Sequence, residues 1–255
     1  MDFALSEQQQ ALRKSAREFL EAEAPITLAR AKLEHETGFE PGLWTQMAEQ
    51  GWMGVAVPEA EGGLGLGMVE LVLLLEEMGR VVAPSPFYST VALAAPVVAA
   101  LSTDPEGRRS FFGAVAAGEL RLTLALAEDS GSFDETGIAA TAERAGDGWV
   151  LRGRKSFVPD AHLADEIVVV ARTPGGIGAF LVPAADCAIE PKQSLDRTRR
   201  LSAVTLGGVR VGAARLLGEE GTAWPSIRRA LDRAAVGLAA EAVGVADAAM
   251  NATLA

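Results

Sequence analysis

Apolar residues recur every three or four positions through the first 120 residues, which is the period of amphipathic helices. The first helix is predicted to begin after Ser6 and Gln9, which have the spacing of a capping box. Its apolar stripe consists of Ala11, Leu12, Ala16, Phe19 and Leu20. Further helices are predicted around Trp44, after Gly67, over residues 91–101 and after Pro105. We therefore predict an all-α N-terminal domain over residues 1–120.

A glycine-rich stretch joins two of these helices. Gly51 suits the left-handed cap that ends a helix, and residues 62–67 hold four glycines. A Gly-x-Gly run also occurs in dinucleotide-binding sites, but that fingerprint needs a strand before it and a parallel strand after its helix. Because helices are predicted on both sides here, we favour a loop that packs closely between two helices.

From about Leu120 the pattern changes to the period of strands. Two turn sequences, Ala145-Gly-Asp-Gly148 and Thr173-Pro-Gly-Gly176, are flanked by apolar segments and are hairpin signals. Adjacent hairpins favour an antiparallel sheet. We therefore predict that residues 121–218 form an antiparallel β-barrel or sandwich.

A helical pattern returns near the end of the chain, over residues 219–255. The predicted helix starts at Pro225 and continues to Ala255, about 45 Å of helix. Its apolar stripe consists of Leu231, Ala234, Leu238, Ala242, Val245, Ala249 and Ala252. A single helix with an apolar face is not stable in water, so we expect this chain to associate with another surface.

Composition restricts the function classes. Hydrophobic residues make up 49% of the 255, which is typical of globular proteins. Prolines interrupt the most apolar stretch, residues 81–101, so no membrane-spanning segment is predicted. The start of the chain lacks the pattern of a signal peptide, and we expect a cytoplasmic protein. The single cysteine, Cys187, excludes an internal disulfide, and with only two histidines we expect no metal site.

The net charge of −11 argues against nucleic acid as a partner. The stretch from Lys192 to Arg233 nevertheless holds nine basic and four acidic residues. An acidic protein with a local basic surface can collect a phosphorylated small molecule. Alternatively, these arginines pair with the acidic N-terminal half. The sequence leaves both interpretations open.

Several segments carry a resemblance to a known family. They read GWMGVAVPE at 51–59, GGLGLG at 62–67 and LLEEMGR at 74–80, and the chain opens with MDFALSEQQQALRKSAREFLEAEAP. These segments resemble the N-terminal domain of the acyl-CoA dehydrogenase family, and the order of predicted elements follows that family along the whole chain. The resemblance implies an α+β multi-domain fold with a helical domain, a β domain and a C-terminal four-helix bundle. Residues 219–255 would be the first helix of that bundle. We expect the chain either to be truncated or to be a short member that borrows helices from a partner.

The resemblance also implies a reaction. In this family a glutamate removes the α proton of an acyl-CoA thioester, and the β hydrogen passes as hydride to FAD, which leaves a 2-enoyl-CoA. The enolate oxygen needs preorganised donors, the carboxylate needs a raised pKa, and the flavin carries the redox step. The implied partners are an acyl-CoA substrate, a homo- or hetero-oligomer with another acyl-CoA dehydrogenase subunit, and electron-transfer flavoprotein.

Two segments match the flavin-binding motifs of the family. They read LALAEDSGSFD at 124–134 and GRKSFVPD at 153–160. The implied FAD contacts are Leu124, Leu126, Ala127, Phe157, Val158 and Pro159. Ala127 and Pro159 replace threonines, so two hydroxyl donors are lost at about 1 kcal/mol each, and Pro159 also lacks a backbone donor. Alternatively, these strands are retained only for packing.

The substrate and catalytic residues are less completely matched. The resemblance implies that Ser132, Phe133, Asp232 and Arg233 bind CoA. Phe133 stands at a serine position of the family, and Arg233 would substitute for an arginine that is Ala235 here. The base lies beyond residue 255 in most members and at the position of Ala234 in a minority. Glu241 is the only carboxylate beside the stripe of the last helix and is the one candidate base, although such a residue is more often paired with an arginine.

Two functions from different classes follow. The first is an FAD-dependent acyl-CoA dehydrogenase, and the second is a non-catalytic structural subunit of a heteromeric acyl-CoA dehydrogenase in steroid or fatty-acid catabolism. The replaced threonines and the unassigned base favour the second. In either case we expect the isolated chain not to oxidise acyl-CoA at a useful rate.

Overall fold

The computed structural model of the protein describes residues 4–254. The first three residues of the family-like opening and the predicted last helical residue, Ala255, lie outside the described residues. The helices are α1 (Glu7–Glu23), α2 (Ile26–Leu33), α3 (Pro41–Glu49), α4 (Met68–Val81), α5 (Ala95–Leu101), α6 (Pro105–Ala116) and α7 (Trp224–Leu254). The strands are β1 (Leu122–Ala125), β2 (Thr141–Ala145), β3 (Gly148–Pro159), β4 (Glu166–Thr173), β5 (Gly176–Pro183), β6 (Ala188–Lys192), β7 (Leu201–Gly212) and β8 (Leu216–Leu217). A π-helical stretch, Tyr88–Ala94, precedes α5. The predicted order of helical domain, β domain and terminal helix is confirmed.

By its contacts the described chain divides into two compact units. The first unit comprises residues 4–88, 112–119 and 233–254, and the second comprises residues 89–111 and 120–232. The units therefore gather separate segments of the chain, and the linear domain boundaries drawn from the sequence stay predictions.

In the first unit, α1 packs against α4. The predicted capping box at the start of α1 is confirmed, since Ser6 Oγ accepts from the Gln9 amide at 3.2 Å and the Gln9 side chain accepts from the Ser6 amide at 3.0 Å. Between the two helices, the buried carboxylate of Glu77 accepts hydrogen bonds from Arg13 and Arg17. Opposite charges thus compensate the burial of Glu77, which would otherwise be costly.

The glycine-rich stretch is a structural loop. Gly51 has a φ of 76°, as its predicted left-handed cap requires. The amides of Leu64, Gly65 and Leu66 donate to the backbone carbonyls of Gly54, Val57 and Val55 at 2.8–3.0 Å. Within the described residues no strand precedes this loop, so the packed-loop interpretation is confirmed and the dinucleotide-binding one is excluded.

In the second unit, the sheet runs in the order β6-β7-β3-β2-β4-β5-β8, with β1 paired to β4. Both predicted hairpins are confirmed, because Ala145 pairs with Gly148 and Thr173 pairs with Gly176 across two-residue turns. The sheet is sandwich-like rather than a closed barrel, since β6 and β8 do not pair among the described strands. One detail differs from an antiparallel sheet, since β1 runs parallel to β4 over four residues and β2 meets β4 in parallel at Thr141.

The helix α7 forms where predicted but buries a different face. Of the predicted stripe, Ala234 is buried, whereas Leu238 and Val245 are 46% and 45% exposed. The buried face consists of Ile227, Ala230, Ala234, Gly237, Ala240 and Gly244. Small residues occupy the buried face because they allow the backbone of α7 to approach α4 closely at Gly79 and Gly244. In the part of the chain that the structure describes, no helix is long and apolar enough to cross a membrane.

Candidate functional site

The two segments that match the flavin motifs lie side by side in the second unit. The amide of Ser156 on β3 donates to the carbonyl of Ala127 at 2.8 Å, just after β1. The hydroxyl of Thr123 on β1 donates to the carbonyl of Pro159 at 2.5 Å. Two segments that are about thirty residues apart in sequence are therefore joined by one main-chain and one side-chain hydrogen bond.

The predicted flavin residues of the first segment are buried. Leu124, Leu126 and Ala127 are each less than 5% exposed. Leu124 is paired in register with Val168 of β4, and its low exposure shows that its side chain lies in the interior. These exposure values include the backbone, so the flavin contacts that the resemblance implies for Leu124, Leu126 and Ala127 stay predictions.

A buried ion pair supports this backbone. The ammonium of Lys155, which is fully buried, donates to Glu128 Oε1 at 2.8 Å and to the Leu126 carbonyl at 3.1 Å. The Glu128 carboxylate also accepts from the amides of Ala139 and Ala140 at 2.9–3.0 Å. Burial raises the pKa of Glu128, but the Lys155 ammonium and the two amides outweigh it, so the pKa of this carboxyl lies below its usual range. Burial lowers the pKa of Lys155.

Sequence reasoning missed the role of Lys155. The available signal was its position, since a lysine within a predicted strand, two residues after Gly153, needs a partner if it points inward. The pair fixes the carbonyl of Leu126 and the chain on either side of it.

The second segment contains a strained bulge. The pairing of β3 with β7 shifts register between Lys155 and Val158, and Phe157 in this bulge has a φ of 58°. The ring of Phe157 is held out at 47% exposure, and Lys192 Nζ lies 5.6 Å from its centroid. Val158 is buried behind it. Positive φ is costly for a bulky residue and is often found at ligand sites.

Pro159 and its neighbour Asp160 follow the bulge. Asp160 has a φ of 50°, and its carboxylate accepts from the buried Ser89 hydroxyl at 2.7 Å. Burial raises the pKa of Asp160, although Ser89, Arg199 and His162 act in the opposite direction. The carbonyl of Pro159 is occupied by Thr123. The end of β3, which carries the second flavin-motif segment, is therefore held by the hydroxyl groups of Ser89 and Thr123.

Asp129 stands where the family has a proline. Hydrogen bonds of its side chain hold the turn that proline would make rigid. Its carboxylate accepts from the Ser156 hydroxyl at 2.5 Å and from Arg154 at 3.0 Å. The hydrogen bond from Ser156, helped by Arg154, lowers the pKa of Asp129. The turn after Ala127 is thus tied to β3 without proline.

The predicted CoA residues are divided between a loop and a helix. Ser132 is half-buried and Phe133 is 60% exposed on the loop of residues 130–138, while Asp232 is exposed on α7. Arg228, which sequence reasoning missed, contacts both sides. Its Nη1 lies 3.4 Å from Asp134 Oδ1, and its Nε lies 3.3 Å from Asp232 Oδ1.

The remaining candidates, Arg233, Ala234 and Glu241, belong to the first unit. Arg233 is exposed on α7. The ion pair of Asp232 is made with Arg228. Ala234 stands at the position where a minority of the family has the catalytic base. It is buried, and its carbonyl accepts a hydrogen bond from the Tyr88 hydroxyl at 3.2 Å. Glu241 is half-buried in the first unit, where its backbone carbonyl faces Gly79. A role for Glu241 as base stays a prediction.

The residues offer a flavin one exposed aromatic face, the ring of Phe157. The carbonyls of Leu126 and Ala127 already accept hydrogen bonds from Lys155 and from the Ser156 amide. Neither Ala127 nor Pro159 offers a hydroxyl. Among the described residues, no group of three or more His, Cys, Asp or Glu side chains could hold a metal ion.

Comparisons with known proteins agree with this geometry. The family model described as acyl-CoA dehydrogenase, N-terminal domain, matches residues 6–119, and that described as acyl-CoA dehydrogenase, middle domain, matches residues 123–206. The chain is 28% identical to the 3-(aryl)acrylate reductase of Clostridium sporogenes, over 96% of this chain and 67% of that protein.

Two solved structures are also similar. A variant of the Tcur3481-Tcur3483 steroid ACAD has a TM-score of 0.82 and 36% identity, over 97% of this chain and 65% of that one. The ChsE4-ChsE5 complex from Mycobacterium tuberculosis has a TM-score of 0.89 and 27% identity, over 100% of this chain and 67% of that one. The chain thus spans about two thirds of the length of the proteins it matches.

Proposed function

Because the chain belongs to the acyl-CoA dehydrogenase family, we propose that its second unit binds FAD at the surface made by Ala127, Ser156 and Phe157, and that the protein takes part in the α,β-dehydrogenation of an acyl-CoA thioester. When bound, the flavin supplies the hydride acceptor. The observation that carries the proposal is the hydrogen bond from the Ser156 amide to the Ala127 carbonyl. It joins the two segments that match the family's flavin-binding motifs, next to the exposed ring of Phe157.

Each residue of this surface has a proposed role. The main chain at Leu126 and Ala127 meets the flavin ring, and the buried pair of Lys155 and Glu128 holds that main chain in place. Phe157 covers one side of the ring and excludes water. Ser132, Phe133 and Asp232 contact the CoA part of the substrate. The base is not among the residues to which we assign a role.

A second function is favoured by a specific observation. Pro159 lacks both the hydroxyl and the amide that a threonine would offer, and Ala127 lacks a hydroxyl. Ala234, at the early-base position, is buried. These departures support a structural subunit that works with a catalytic acyl-CoA dehydrogenase chain, and the similar ChsE4-ChsE5 structure is a complex of two named components. Electron-transfer flavoprotein would then serve the complex, which we place in the cytoplasm.

The experiment that separates these functions is flavin titration followed by reduction. The chain is loaded with FAD, its visible spectrum is recorded, and acyl-CoA thioesters of several chain lengths, including a steroid side-chain thioester, are added without oxygen. Saturable FAD binding by the chain supports the flavin site. If the chain binds no FAD either alone or with a partner subunit, the flavin site is contradicted. We expect no bleaching by the chain alone, because general-base loss costs about 10²- to 10⁴-fold in rate.

Restoring the lost donor tests the position of the flavin. Pro159→Thr should tighten FAD binding by roughly fivefold, the equivalent of about 1 kcal/mol for one hydrogen bond. Pro183→Thr, which makes the same change at the end of β5, is the matched control and should leave the affinity unchanged. Equal effects of both substitutions would contradict flavin contact at Pro159.

A further inference from the structure

Arg228 stands between the two parts of the chain to which CoA contacts are assigned. Its Nη1 hydrogen-bonds Asp134 on the loop of residues 130–138. Its Nε hydrogen-bonds Asp232, one turn further along α7. The two contacts use different nitrogen atoms, as the forked shape of arginine allows. The loop and the helix are therefore joined through one side chain.

The helical side of this connection is fixed. The amide of Ala223 donates to the carbonyl of Ile177 on β5 at 3.0 Å, and the neighbours of Arg228 on the inner face, Ile227 and Ala230, are buried. Arg228 itself points outward, with 56% of its side chain exposed. It thus extends from a turn of α7 that is anchored on the sheet.

The loop side is ordered mainly by short-range bonds. Ser130 Oγ accepts from the Ser132 amide, and Ser132 Oγ accepts from the Asp134 amide, at 3.2–3.3 Å. At the far end of the loop, Arg172 on β4 donates to the carbonyls of Glu135 and Ile138. These bonds shape the loop, whereas Arg228 links it to α7.

We propose that Arg228 is a positioning residue that holds the loop bearing Ser132 and Phe133 at a fixed distance from Asp232, and so keeps the two parts of the CoA-binding surface together. Only the identity of the ligand rests on the proposed function. Without the guanidinium, the contact of Arg228 with Asp134 is lost and the like charges of Asp134 and Asp232 are no longer offset by this cation, so the loop should move away from the helix.

Hydrogen exchange of the ligand-free chain tests the connection directly. In Arg228→Gln and in Asp134→Asn, backbone amides of residues 130–138 should exchange roughly twofold to fivefold faster than in the wild type. Arg228→Lys, which keeps the charge but not the forked shape, should restore only part of the protection. The matched control is Arg229→Gln, because Arg229 hydrogen-bonds Ser226 on its own helix. Unchanged exchange in both Arg228→Gln and Asp134→Asn overturns the proposal.

Calorimetric titration with CoA tests the consequence. Arg228→Gln and Asp134→Asn should each weaken CoA binding by roughly twofold to fivefold, and the double variant should be no weaker than the single ones because both remove the same contact. The effects should shrink in 0.5 M NaCl. Additive losses, or weaker CoA binding with unchanged loop exchange, would assign Arg228 a direct contact with phosphate and overturn the positioning role.

The two proposals fail in different ways. If the wild-type chain binds no CoA but Arg228→Gln accelerates loop exchange, the positioning contact is supported and the CoA-binding part of the proposed function is contradicted. If CoA binds and none of the variants alters loop exchange, the proposed function stands and the role of Arg228 is overturned. If Arg228→Gln does not fold, Asp134→Asn provides the same test from the loop side.

Discussion

A β-carbon on Gly79 would overlap the backbone carbonyl oxygen of Glu241, so α4 and α7 touch backbone to backbone at this point. Gly244 makes the reciprocal approach, because a β-carbon there would overlap the carbonyl oxygen of Glu76. The two glycines let the helices pack without intervening side chains. This contact, and not the leucine and valine stripe, is what α7 uses to join the first unit.

Alanine at either glycine should destabilise the protein. We expect Gly79→Ala and Gly244→Ala each to lower the free energy of unfolding by about 1–3 kcal/mol, because the added methyl group meets backbone that cannot yield. Gly113→Ala in α6 is the control, since its β-carbon would have open space, and it should be neutral or stabilise by up to about 1 kcal/mol. Urea denaturation measures all three. Equal effects at the three sites would contradict the close packing.

The example of α7 shows what could be predicted from the sequence. The position and length of the helix follow from local periodicity, as do the two-residue turns of the hairpins at Gly146 and Gly175. The packing face does not follow, because Leu238 and Val245 outrank Gly237 and Gly244 on any hydrophobicity scale. Close helix packing selects small residues, and it depends on a partner helix far away in sequence.

The candidate site was partly predictable for the same reason. Motif residues located the segments around Ala127 and Phe157, but the pairing of β1 with β4 is parallel and long-range and has no local signal. The ion pairs of Lys155 and Arg228 involve partners 27 and 94 residues away. Such contacts depend on the folded sheet and not on neighbouring residues.

The buried pair of Lys155 and Glu128 should be strongly coupled. We expect Glu128→Gln to lower the free energy of unfolding by about 3–5 kcal/mol at pH 7, because it leaves the Lys155 ammonium buried without a counter-charge. Lys155→Met should also destabilise, and the double variant should be less unstable than the sum of the single ones. Strictly additive losses in denaturant titrations would contradict the pair.

Asp160 and Asp165 should respond to pH in opposite ways. The folded-state pKa of Asp160 is raised by burial, so its contribution to stability declines as pH rises above the ordinary aspartate pKa of 3.8. Asp160→Asn should therefore raise the melting temperature at pH 7 relative to the wild type, and this gain should fade near pH 4. Asparagine can still accept the bond from Ser89.

For Asp165 the sign is reversed. Burial raises the pKa of this carboxyl, but hydrogen bonds from the Arg121 side chain and amide outweigh it and lower the pKa. Its stabilisation is present above the ordinary pKa and is lost as pH falls through the folded value. Asp165→Asn should lower the melting temperature at pH 7 and have little effect in acid. Parallel pH profiles for the two variants would show that one assignment is wrong.

Ser202 and Ser156 provide a test of buried hydroxyl groups. Both are 1% exposed, but Ser202 Oγ has no hydrogen-bond partner among the described residues, whereas Ser156 Oγ donates to Asp129. Ser202→Ala should be neutral or should stabilise, because an unsatisfied buried hydroxyl costs about 1–3 kcal/mol. Ser156→Ala should destabilise by about 1 kcal/mol or more. Thermal unfolding that ranks the two variants in the opposite order would contradict this assignment.

The exposed side of α7 should make the chain associate. Val236, Val243 and Met250 follow one another at seven-residue intervals and are 52–58% exposed, and Leu254 continues the row at 78%. An apolar row of this kind is typical of a helix that packs against another helix. In sedimentation at micromolar concentration we therefore expect a dimer or larger species. A stable monomer with α7 fully helical would contradict the prediction.

Substitution of this row tests the surface itself. The triple variant Val236→Gln, Val243→Gln and Met250→Gln should shift the protein to monomer while its helical circular dichroism is retained, because none of the three side chains lies on the buried face of α7. Leu195→Gln, which changes a fully exposed leucine outside α7, is the control and should leave association unchanged. If both variants keep the wild-type sedimentation coefficient, association uses another surface and the exposed row is not the cause.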